Sequence, residues 1–187
     1  SYPITPLPKA DWQGAILPIG YTTWEYYDVA MQREHDGFSI SIQKRQLESP
    51  ITHTPQEHDF PDRLFAEHWP QAQAWGIVEA GQLKAAIEIC PEDWSNRLRV
   101  TELWVDPSLQ KQGNGQALMK NEKQQDLHEK RLDISLDPLT CNANAIGFYL
   151  HEGFELIGLD RICYTNHDLQ RREVRLEFGW IPEESEE

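Results

Sequence analysis

The sequence predicts an α/β or α+β domain built on a mostly antiparallel sheet. Three observations carry this prediction. Residues 74–90 hold two apolar runs on either side of a turn at 80–82, which is the pattern of a β-hairpin. Residues 116–130 contain no proline or glycine and predict a helix, whose expected inner face has the polar Asn121 and Gln125 where apolar residues would normally pack. Alternating runs return at residues 132–136 and 155–180, so strands and helices interleave in the second half of the chain.

The 187 residues are expected to form a single domain, 1–187, with a sizeable core. Prolines and few apolar residues predict an irregular N-terminal arm at 1–13. Residues 182–187 read PEESEE and predict a solvated acidic tail. Between the arm and the hairpin the pattern is mixed. Residues 24–32 fit a strand or a helix, whereas the alternation around Phe38–Ile42 favours a strand.

The remaining segments begin and end at recognisable signals. Residues 62–69 predict a short helix or a loop with one apolar face. Residues 96–105 predict a strand, which ends at Asp106-Pro107 because proline cannot donate to a ladder. Asn142 is a suitable N-cap for a second helix, and Gly153 is a suitable end for it.

Composition narrows the classes of partner. The formal net charge is −14 and the pI is about 4.9, so the surface repels nucleic acid and attracts a cationic small molecule. An acidic surface that serves solubility alone is the alternative. No apolar run is long enough to span a bilayer, and residues 1–15 lack the pattern of a signal peptide. Three scattered cysteines, Cys90, Cys141 and Cys163, fit free thiols in a reducing cytoplasm better than disulfides or a zinc site.

The most specific local pattern is QKQGNGQ at residues 110–116, at the start of the first predicted helix. A helix N-terminus presents unpaired N–H groups and a partial positive charge, and glycine lets a ligand approach the backbone, so the pattern suits a phosphate. A turn without a ligand is the alternative. A Walker loop is excluded because Gln116-Ala117 stand where lysine and serine or threonine are needed. The dinucleotide fingerprint fails at Leu118, although Asp137 lies near the acidic position that it requires.

Two motifs, in order along the chain, carry a resemblance to a known family. Residues 110–115 match the pattern Q/R-x-x-G-x-G/A, and residues 103–107 (LWVDP) match the strand end that precedes it. The second motif, N-x-x-A-x-x-F-Y-x-x-x-G-F, is matched by Asn142, Ala145, Phe148, Tyr149, Gly153 and Phe154. Over about residues 74–178 the chain therefore resembles the GCN5-related N-acetyltransferases (GNAT). Residues 94–106 and 154–178 are further similar to streptothricin acetyltransferases.

The resemblance implies the GNAT fold, which has a mixed, mostly antiparallel central sheet flanked by helices. It also implies acetyl-CoA (coenzyme A) as the cofactor. In the family, the glycine loop holds the pyrophosphate, and the preceding strand splays from its neighbour and offers amides to the pantetheine arm and the acetyl oxygen. The cofactor-binding residues that the resemblance implies are Leu103, Trp104, Val105, Gln110, Lys111, Gln112, Gly113, Asn114, Gly115, Gln116, Asn142, Ala145, Phe148 and Tyr149.

Acetyl transfer from a thioester to an amine needs a proton acceptor, a donor to the carbonyl oxygen and a donor to the leaving thiolate. Tyr149 is the candidate donor to the thiolate, since a phenol is protonated at neutral pH. Packing of Tyr149 in the core with Phe148 and Phe154 is the alternative. Glu102 is the candidate base, directly or through a water, because a glutamate in a central strand seldom lacks a partner or a task. A position on an exposed sheet face is the alternative for Glu102.

Acidic and aromatic residues are candidates for binding a cationic acceptor. Glu88 and Asp137 would add negative charge that attracts an ammonium group. Trp94 and Tyr164 can stack on a cation, although aromatic residues also close a core.

The histidines do not predict a metal site. His53 and His58, with Glu57 and Asp59, do not match a metal-binding spacing and are expected in a polar loop. His151 is expected on the surface, because neighbouring positions of a helix face different sides.

These observations predict an N-acetyltransferase that moves acetyl from acetyl-CoA to a primary amine of a cationic small molecule. The narrower resemblance implies streptothricin as the acceptor and antibiotic resistance as the role. Three alternatives remain: acetylation of a lysine or N-terminal amine in a protein or peptide, a non-catalytic acyl-CoA-binding module, and a dinucleotide-dependent oxidoreductase. The expected form is a cytoplasmic monomer or homodimer without nucleic-acid or membrane partners.

Overall fold

The computed structural model describes residues 2–56 and 61–183. Its strands are β1 (Thr5–Pro6), β2 (Tyr21–Glu34), β3 (Gly37–His53), β4 (Gln73–Glu79), β5 (Gln82–Glu92), β6 (Arg97–Val105), β7 (Asp133–Leu136), β8 (Glu155–Asp160) and β9 (Arg175–Trp180). Its helices are α1 (Lys9–Trp12), α2 (Asn114–Glu129), α3 (Ala143–His151) and α4 (Asp168–Arg171), and a short 3₁₀ turn covers Pro107–Leu109. No helix in these ranges is both long and apolar enough to cross a membrane.

The chain forms two compact units. The first unit contains Ser1–Ile19, Pro55–Leu136 and Trp180–Glu187, and the second contains Gly20–Thr54 and Asp137–Gly179. One domain over residues 1–187 stays a prediction, and most of the predicted acidic tail lies outside the described residues.

The first unit is built on strands in the order β1-β4-β5-β6-β7. Neighbouring strands are antiparallel from β1 to β6, and β6 and β7 are parallel. The β4–β5 hairpin turns at Ala80 and Gly81, whose φ values of 50° and 77° are of the sign that a two-residue hairpin turn requires. The predicted hairpin and the mostly antiparallel sheet are confirmed.

The sheet of the first unit is covered on both faces. Residues 85–90 of β5 are all buried, which is typical of a central strand. The helix α2 packs on β5, β6 and β7 and buries Leu118 and Met119 completely. A separate apolar cluster joins the sheet to two covering segments, residues 7–17 and 61–69. This cluster contains Leu7, Leu17, Leu64, Phe65, Ala74, Ala86 and Trp104.

The second unit contains the antiparallel hairpin β2–β3, the antiparallel pair β8–β9, and the helices α3 and α4. Residues 24–32, which fit a strand or a helix by sequence, are strand because β2 pairs with β3 along its length. The Asn142 side chain accepts a hydrogen bond from the Ala145 N–H at 3.3 Å, so the predicted N-cap of α3 is confirmed.

Several predicted elements need correction. The arm at 1–13 is not irregular throughout, because β1 pairs with β4 and α1 forms one helical turn. The helix α2 begins at Asn114 rather than at Gln116. Residues 161–167 form turns rather than the continuation of a strand, since they bend around the buried Asp168, whose carboxylate accepts from nearby backbone N–H groups. Of the two forms predicted for residues 62–69, the loop is the one observed.

The helix α2 has an acidic buried face. The sequence placed Asn121 and Gln125 where apolar residues would pack, and the structure leaves these two only half-buried. Glu122 and Asp126 are the residues that are fully buried, one and two turns beyond the buried Leu118. The inner face was therefore predicted one residue out of register.

Candidate functional site

The C-terminal half of β6 directs backbone groups away from β5. The Asp106 N–H donates to the Lys84 carbonyl at 2.8 Å, which fixes the alternation of the β5–β6 ladder. It follows that the N–H groups of Leu103 and Val105 point to the other side of β6. On that side the registered pairs with β7 end at Arg99. The amides of Leu103 and Val105 therefore point to the side of β6 on which its pairing with β7 has ended.

The loop after β6 is held by its own side chains. Three side-chain amides donate to main-chain carbonyls: Gln110 Nε2 to Val105 (3.0 Å), Gln112 Nε2 to Ser108 (2.9 Å) and Asn114 Nδ2 to Leu109 (2.9 Å). The bond to the Val105 carbonyl also agrees with the alternation of β6, because that carbonyl points away from β5. The loop thus keeps its shape without using the main-chain N–H groups at the start of α2.

The N-terminus of α2 has the geometry of an anion site. Lys111 and Gly113 both adopt left-handed backbone conformations, with φ of 60° and 81°. Gly113 is the N-cap residue, and no side chain caps it. The Ala117 N–H donates to the Gly113 carbonyl at 3.0 Å, so the N–H groups of residues 114–116 precede the helical ladder. The first turn carries no acidic side chain, and these amides and the helix dipole favour a phosphate.

Glu102 and Glu88 stand opposite each other on β6 and β5. The register then shifts, because Ile89 pairs with Val100 and leaves Thr101 as an extra residue in β6. This bulge directs the Thr101 hydroxyl to Glu88 Oε1 at 2.7 Å. Two glutamates on one sheet face repel each other, so at least one of them needs hydrogen-bond donors or a proton.

Glu88 accepts hydrogen bonds from donors of the protein on both of its oxygens. It is fully buried, and its Oε2 atom accepts the N–H of Phe65 at 2.6 Å. Phe65 itself has a left-handed backbone, with φ of 56°, which is costly for a bulky residue and is held in place by this bond. Glu88 therefore fixes the covering segment 61–69 on the sheet.

Glu102 lines a cavity of about 480 Å³, together with Gln13, Gly14 and residues 61–69. Burial raises the pKa of the Glu102 carboxyl from 4.5 to about 9, with further contributions from the charges of Asp62 and Glu88 and from a hydrogen bond with Asp62. Glu102 is therefore mostly protonated at pH 7. The cavity joins an acid of raised pKa to a surface opening, which is a common arrangement at catalytic sites.

The second unit carries the rest of the predicted motif on α3. The Tyr149 ring lies 5.7 Å from the Phe148 ring and 5.9 Å from the Phe154 ring, measured between centroids. Phe154 is buried, whereas Tyr149 is half-buried. The aromatic packing orients the Tyr149 ring and leaves part of its surface exposed.

Two predicted substrate residues also lie in the second unit. Asp137 Oδ2 is 3.9 Å from Arg175 Nε, so its negative charge already has a cationic neighbour. Tyr164 is 58% exposed and can be reached by a ligand. The predicted roles of both residues stay predictions.

The structure corrects two predicted contacts. Glu88 cannot touch an acceptor, because it is fully buried and both of its oxygens accept bonds from the protein. Trp94 is in the turn after β5 and is 88% exposed, and its predicted role stays a prediction. Trp104 has its side chain in the apolar cluster and its backbone directed to β5, so it is removed from the predicted cofactor contacts.

The predictions for the histidines have mixed outcomes. His53 is in β3 rather than in a polar loop, and its Nε2 atom lies 3.8 Å from the sulfur of Cys141. His58, Glu57 and Asp59 lie outside the described residues. His151 is on the surface, as predicted. Asp62 was not predicted, and the structure brings it to Glu102 from 40 positions earlier in the chain.

Comparison with known proteins identifies a family over part of the chain. Residues 70–156 match the family described as the acetyltransferase (GNAT) domain. This range contains β5, β6, α2 and α3, and with them both predicted motifs. No curated protein matches the sequence significantly.

Solved structures share the fold over almost the whole chain. A nourseothricin acetyltransferase is 24% identical and covers 96% of this chain and 98% of its own, with a TM-score of 0.74. A Bacillus anthracis protein named as a streptothricin acetyltransferase, solved with acetyl coenzyme A, is 16% identical and covers 98% of both chains, with a TM-score of 0.73. A ribosomal-protein alanine N-acetyltransferase of Escherichia coli is 21% identical and covers 70% of this chain and 86% of its own, with a TM-score of 0.51. At these identities the likeness shows the fold.

Proposed function

Because residues 70–156 of this chain belong to the GNAT acetyltransferase family, we propose that the protein transfers the acetyl group of acetyl-CoA to a primary amine of a cationic small molecule. The observation that carries the proposal is the continuity of β6, its loop and α2. The half of β6 that lies beyond its pairs with β7 leads through one loop to an uncapped helix N-terminus, so a single segment could offer amides to an acyl group and to a diphosphate.

The cofactor would bind along this segment. The N–H groups of residues 111–116 would hold the diphosphate, and the Lys111 side chain would add a positive charge beside it. The amides of Leu103 and Val105 would bind the pantetheine arm and the carbonyl oxygen of the thioester. The family motif adds four residues of the second unit to the proposed cofactor contacts: Asn142, Ala145, Phe148 and Tyr149. The Leu103 or Val105 amide would then stabilise the negative charge that develops on that oxygen.

The chemistry requires that the acceptor nitrogen lose two protons in all. The acceptor arrives as an ammonium ion, since an alkyl amine resembles lysine in its pKa. Glu102 would take one of the protons once the entering cation has lowered its raised pKa. Tyr149 would donate a proton to the thiolate of coenzyme A as the carbon–sulfur bond breaks. These two roles are proposals that rest on the pocket around Glu102 and on the position of Tyr149 in the family motif.

The acceptor that we propose is a streptothricin-class antibiotic, whose acetylation would give resistance. Two observations favour a cation: the net charge of −14 and the acidic cavity beside Glu102. Nourseothricin and streptothricin are the acceptors in the names of the two structural relatives that cover nearly the whole chain. The three cysteines of the described chain are free, which suits the cytoplasm, and the state that we propose is a monomer or a homodimer.

Mass spectrometry of a streptothricin incubated with the protein and acetyl-CoA tests this function directly. We expect a product heavier by one acetyl group, together with release of free coenzyme A. Lysine-bearing peptides and peptides with a free N-terminus should be tested in parallel, because faster acetylation of either would assign the protein to the peptide-modifying class. Tight coenzyme A binding without turnover on any amine would identify a non-catalytic module.

Replacement of Tyr149 by phenylalanine tests the proposed donor to the thiolate. We expect kcat to fall about 100-fold, within the range of general acid catalysis, while the affinity for coenzyme A changes less than about threefold. Tyr27→Phe is the matched control, because it removes a hydroxyl from a half-buried strand residue without a proposed role. Equal losses of kcat and of affinity in Tyr149→Phe would mean that Tyr149 positions the cofactor instead.

A further inference from the structure

We propose that Asp62 and Glu102 act as one carboxyl pair that holds the ammonium group of the acceptor and takes up its proton. The proposal rests on the acetyltransferase function and adds to it a second acidic residue and a class of acceptor. Asp62 lies outside both sequence motifs and outside residues 70–156, so nothing in the family pattern assigns it a role.

Backbone hydrogen bonds fix the position of the segment that carries Asp62. The Leu17 N–H donates to the Asp62 carbonyl at 2.9 Å. The Leu64 N–H donates to the Ala15 carbonyl, also at 2.9 Å. Gly14 closes this small ladder with a bond to the Leu64 carbonyl. The segment that carries Asp62 is thus fixed on the N-terminal segment, and its exposed side chain stands where the cavity meets solvent.

The two carboxyl groups meet at the cavity. Asp62 and Glu102 are joined by a side-chain hydrogen bond, and two carboxyl groups can form such a bond only if one of them carries a hydrogen. Glu102 is the less exposed member and has the raised pKa, so its O–H donates to Asp62. Glu88 cannot replace either member, because its two oxygens are occupied by Phe65 and Thr101.

The charges that face the pair come from every segment around the cavity. Glu88 faces it from β5, and the covering segment adds Arg63, Glu67 and His68. The Arg63 Nη1 atom donates to the Gly14 carbonyl at 2.9 Å, which holds the guanidinium at the N-terminal segment. Carboxyl groups therefore outnumber fixed cations at the cavity, and an ammonium ion would meet an excess of negative charge.

The shape and lining of the cavity indicate the class of acceptor. Its acidic end is formed by the pair, and its other walls include Leu64, Phe65, Ala66 and Trp69. A primary ammonium at the end of an unbranched aliphatic arm matches this combination, since its charge meets the carboxyl groups while its methylenes contact the apolar wall. A branched or secondary amine would lose one or the other contact.

The proton balance of the reaction can be written from this arrangement. When the ammonium binds, the proton shared by Asp62 and Glu102 leaves to solvent, because the cation stabilises both carboxylates. As the nitrogen attacks, a carbon–nitrogen bond forms and the carbon–sulfur bond of the thioester breaks. Of the two protons that the nitrogen loses, one goes to the carboxyl pair and the other ends on the thiol of coenzyme A. The products are the amide and free coenzyme A.

Calorimetric titration with 1,5-diaminopentane at pH 7.5 tests the pair without turnover. The titration is run in two buffers of different ionisation enthalpy, with the protein alone and with coenzyme A present. We expect about one proton released per amine bound by the wild type, because a carboxyl of pKa about 9 is protonated at that pH. We expect Glu102→Gln to release almost none, and we expect both Asp62→Asn and Glu102→Gln to bind the amine about tenfold more weakly.

Glu67→Gln is the matched control, since it removes one exposed carboxylate from the same lining and leaves the pair intact. It should still release about one proton. Amine binding without proton release in the wild type would overturn the pair, and so would amine binding by Asp62→Asn that is as tight as that of Glu67→Gln. No amine binding to either form of the protein would overturn the pocket. A protein that fails to bind coenzyme A but still releases a proton on amine binding would overturn the proposed function and support the pair.

Discussion

Glu122 offers the sharpest test of the energetics of this fold. It is fully buried on α2, its Oε1 atom accepts from Asn121 Nδ2 at 3.0 Å, and its Oε2 atom has no hydrogen-bond partner in the described part of the chain. Burial raises the pKa of this carboxyl from 4.5 to about 7. Replacement by glutamine keeps the shape and the acceptor for Asn121 but removes the ionisation.

The sign and size of the effect follow from the two pKa values. Between about pH 4.5 and pH 7 the folded state holds a proton that the unfolded state has lost, so stability falls as the pH rises through this window. At about 1.4 kcal/mol for each pH unit between the two values, the ionised carboxyl costs the fold about 3 kcal/mol above pH 8. Glu122→Gln should therefore gain about 3 kcal/mol relative to the wild type when the pH is raised from 5 to 9.

Urea unfolding at pH 5, 7 and 9 measures this difference. Glu48→Gln is the control, because Glu48 is exposed on β3, and its stability should follow the wild type across the series. A Glu122→Gln variant that parallels the wild type at all three pH values would refute the assignment of a buried, proton-binding carboxyl on α2.

Three further substitutions test other parts of the structure. Asp126→Asn should show the same dependence of stability on pH as Glu122→Gln, but at lower pH, because burial raises the pKa of Asp126 from 3.8 to about 6. Urea unfolding from pH 4 to 8 measures this dependence. Gly113→Ala should lower the free energy of unfolding by about 1 kcal/mol because of its φ of 81° alone, since no atom lies within 4 Å of the added carbon. Calorimetry should also show weaker binding of coenzyme A to this variant. Gly76→Ala should lower the free energy of unfolding by about 3 kcal/mol, because the new carbon would lie 2.3 Å from the Ala85 carbonyl oxygen and force β4 away from β5.

The elements that could be predicted from sequence are those with local signals. The strand that ends at Asp106-Pro107, the glycines of the following loop and the N-cap at Asn142 all depend on residues close together in the chain, and each is observed. The family patterns add to this because they describe the same short segments. For this reason the part of the candidate site on the loop after β6 and at the N-cap of α3 could be predicted from the sequence.

The rest of the site depends on contacts between distant residues. Asp62 reaches Glu102 only because the covering segment is fixed on residues 14–17, and no local pattern indicates that ladder. The bulge at Thr101, which occupies Glu88, is likewise set by the pairing of two strands. The acidic face of α2 was misplaced by one residue because a helix without an apolar stripe gives no periodicity to follow.

The hydrogen bond between Glu88 and the Phe65 amide has a consequence for access to the cavity. Lifting residues 61–69 from the sheet would leave a buried carboxylate without one of its donors, at a cost of about 3 kcal/mol. Only about one molecule in 100 would be open at any moment on that basis. Ligands would therefore reach Glu102 while residues 61–69 stay on the sheet, and the size limit on an acceptor would be set by the fixed lining of the cavity rather than by a moving lid.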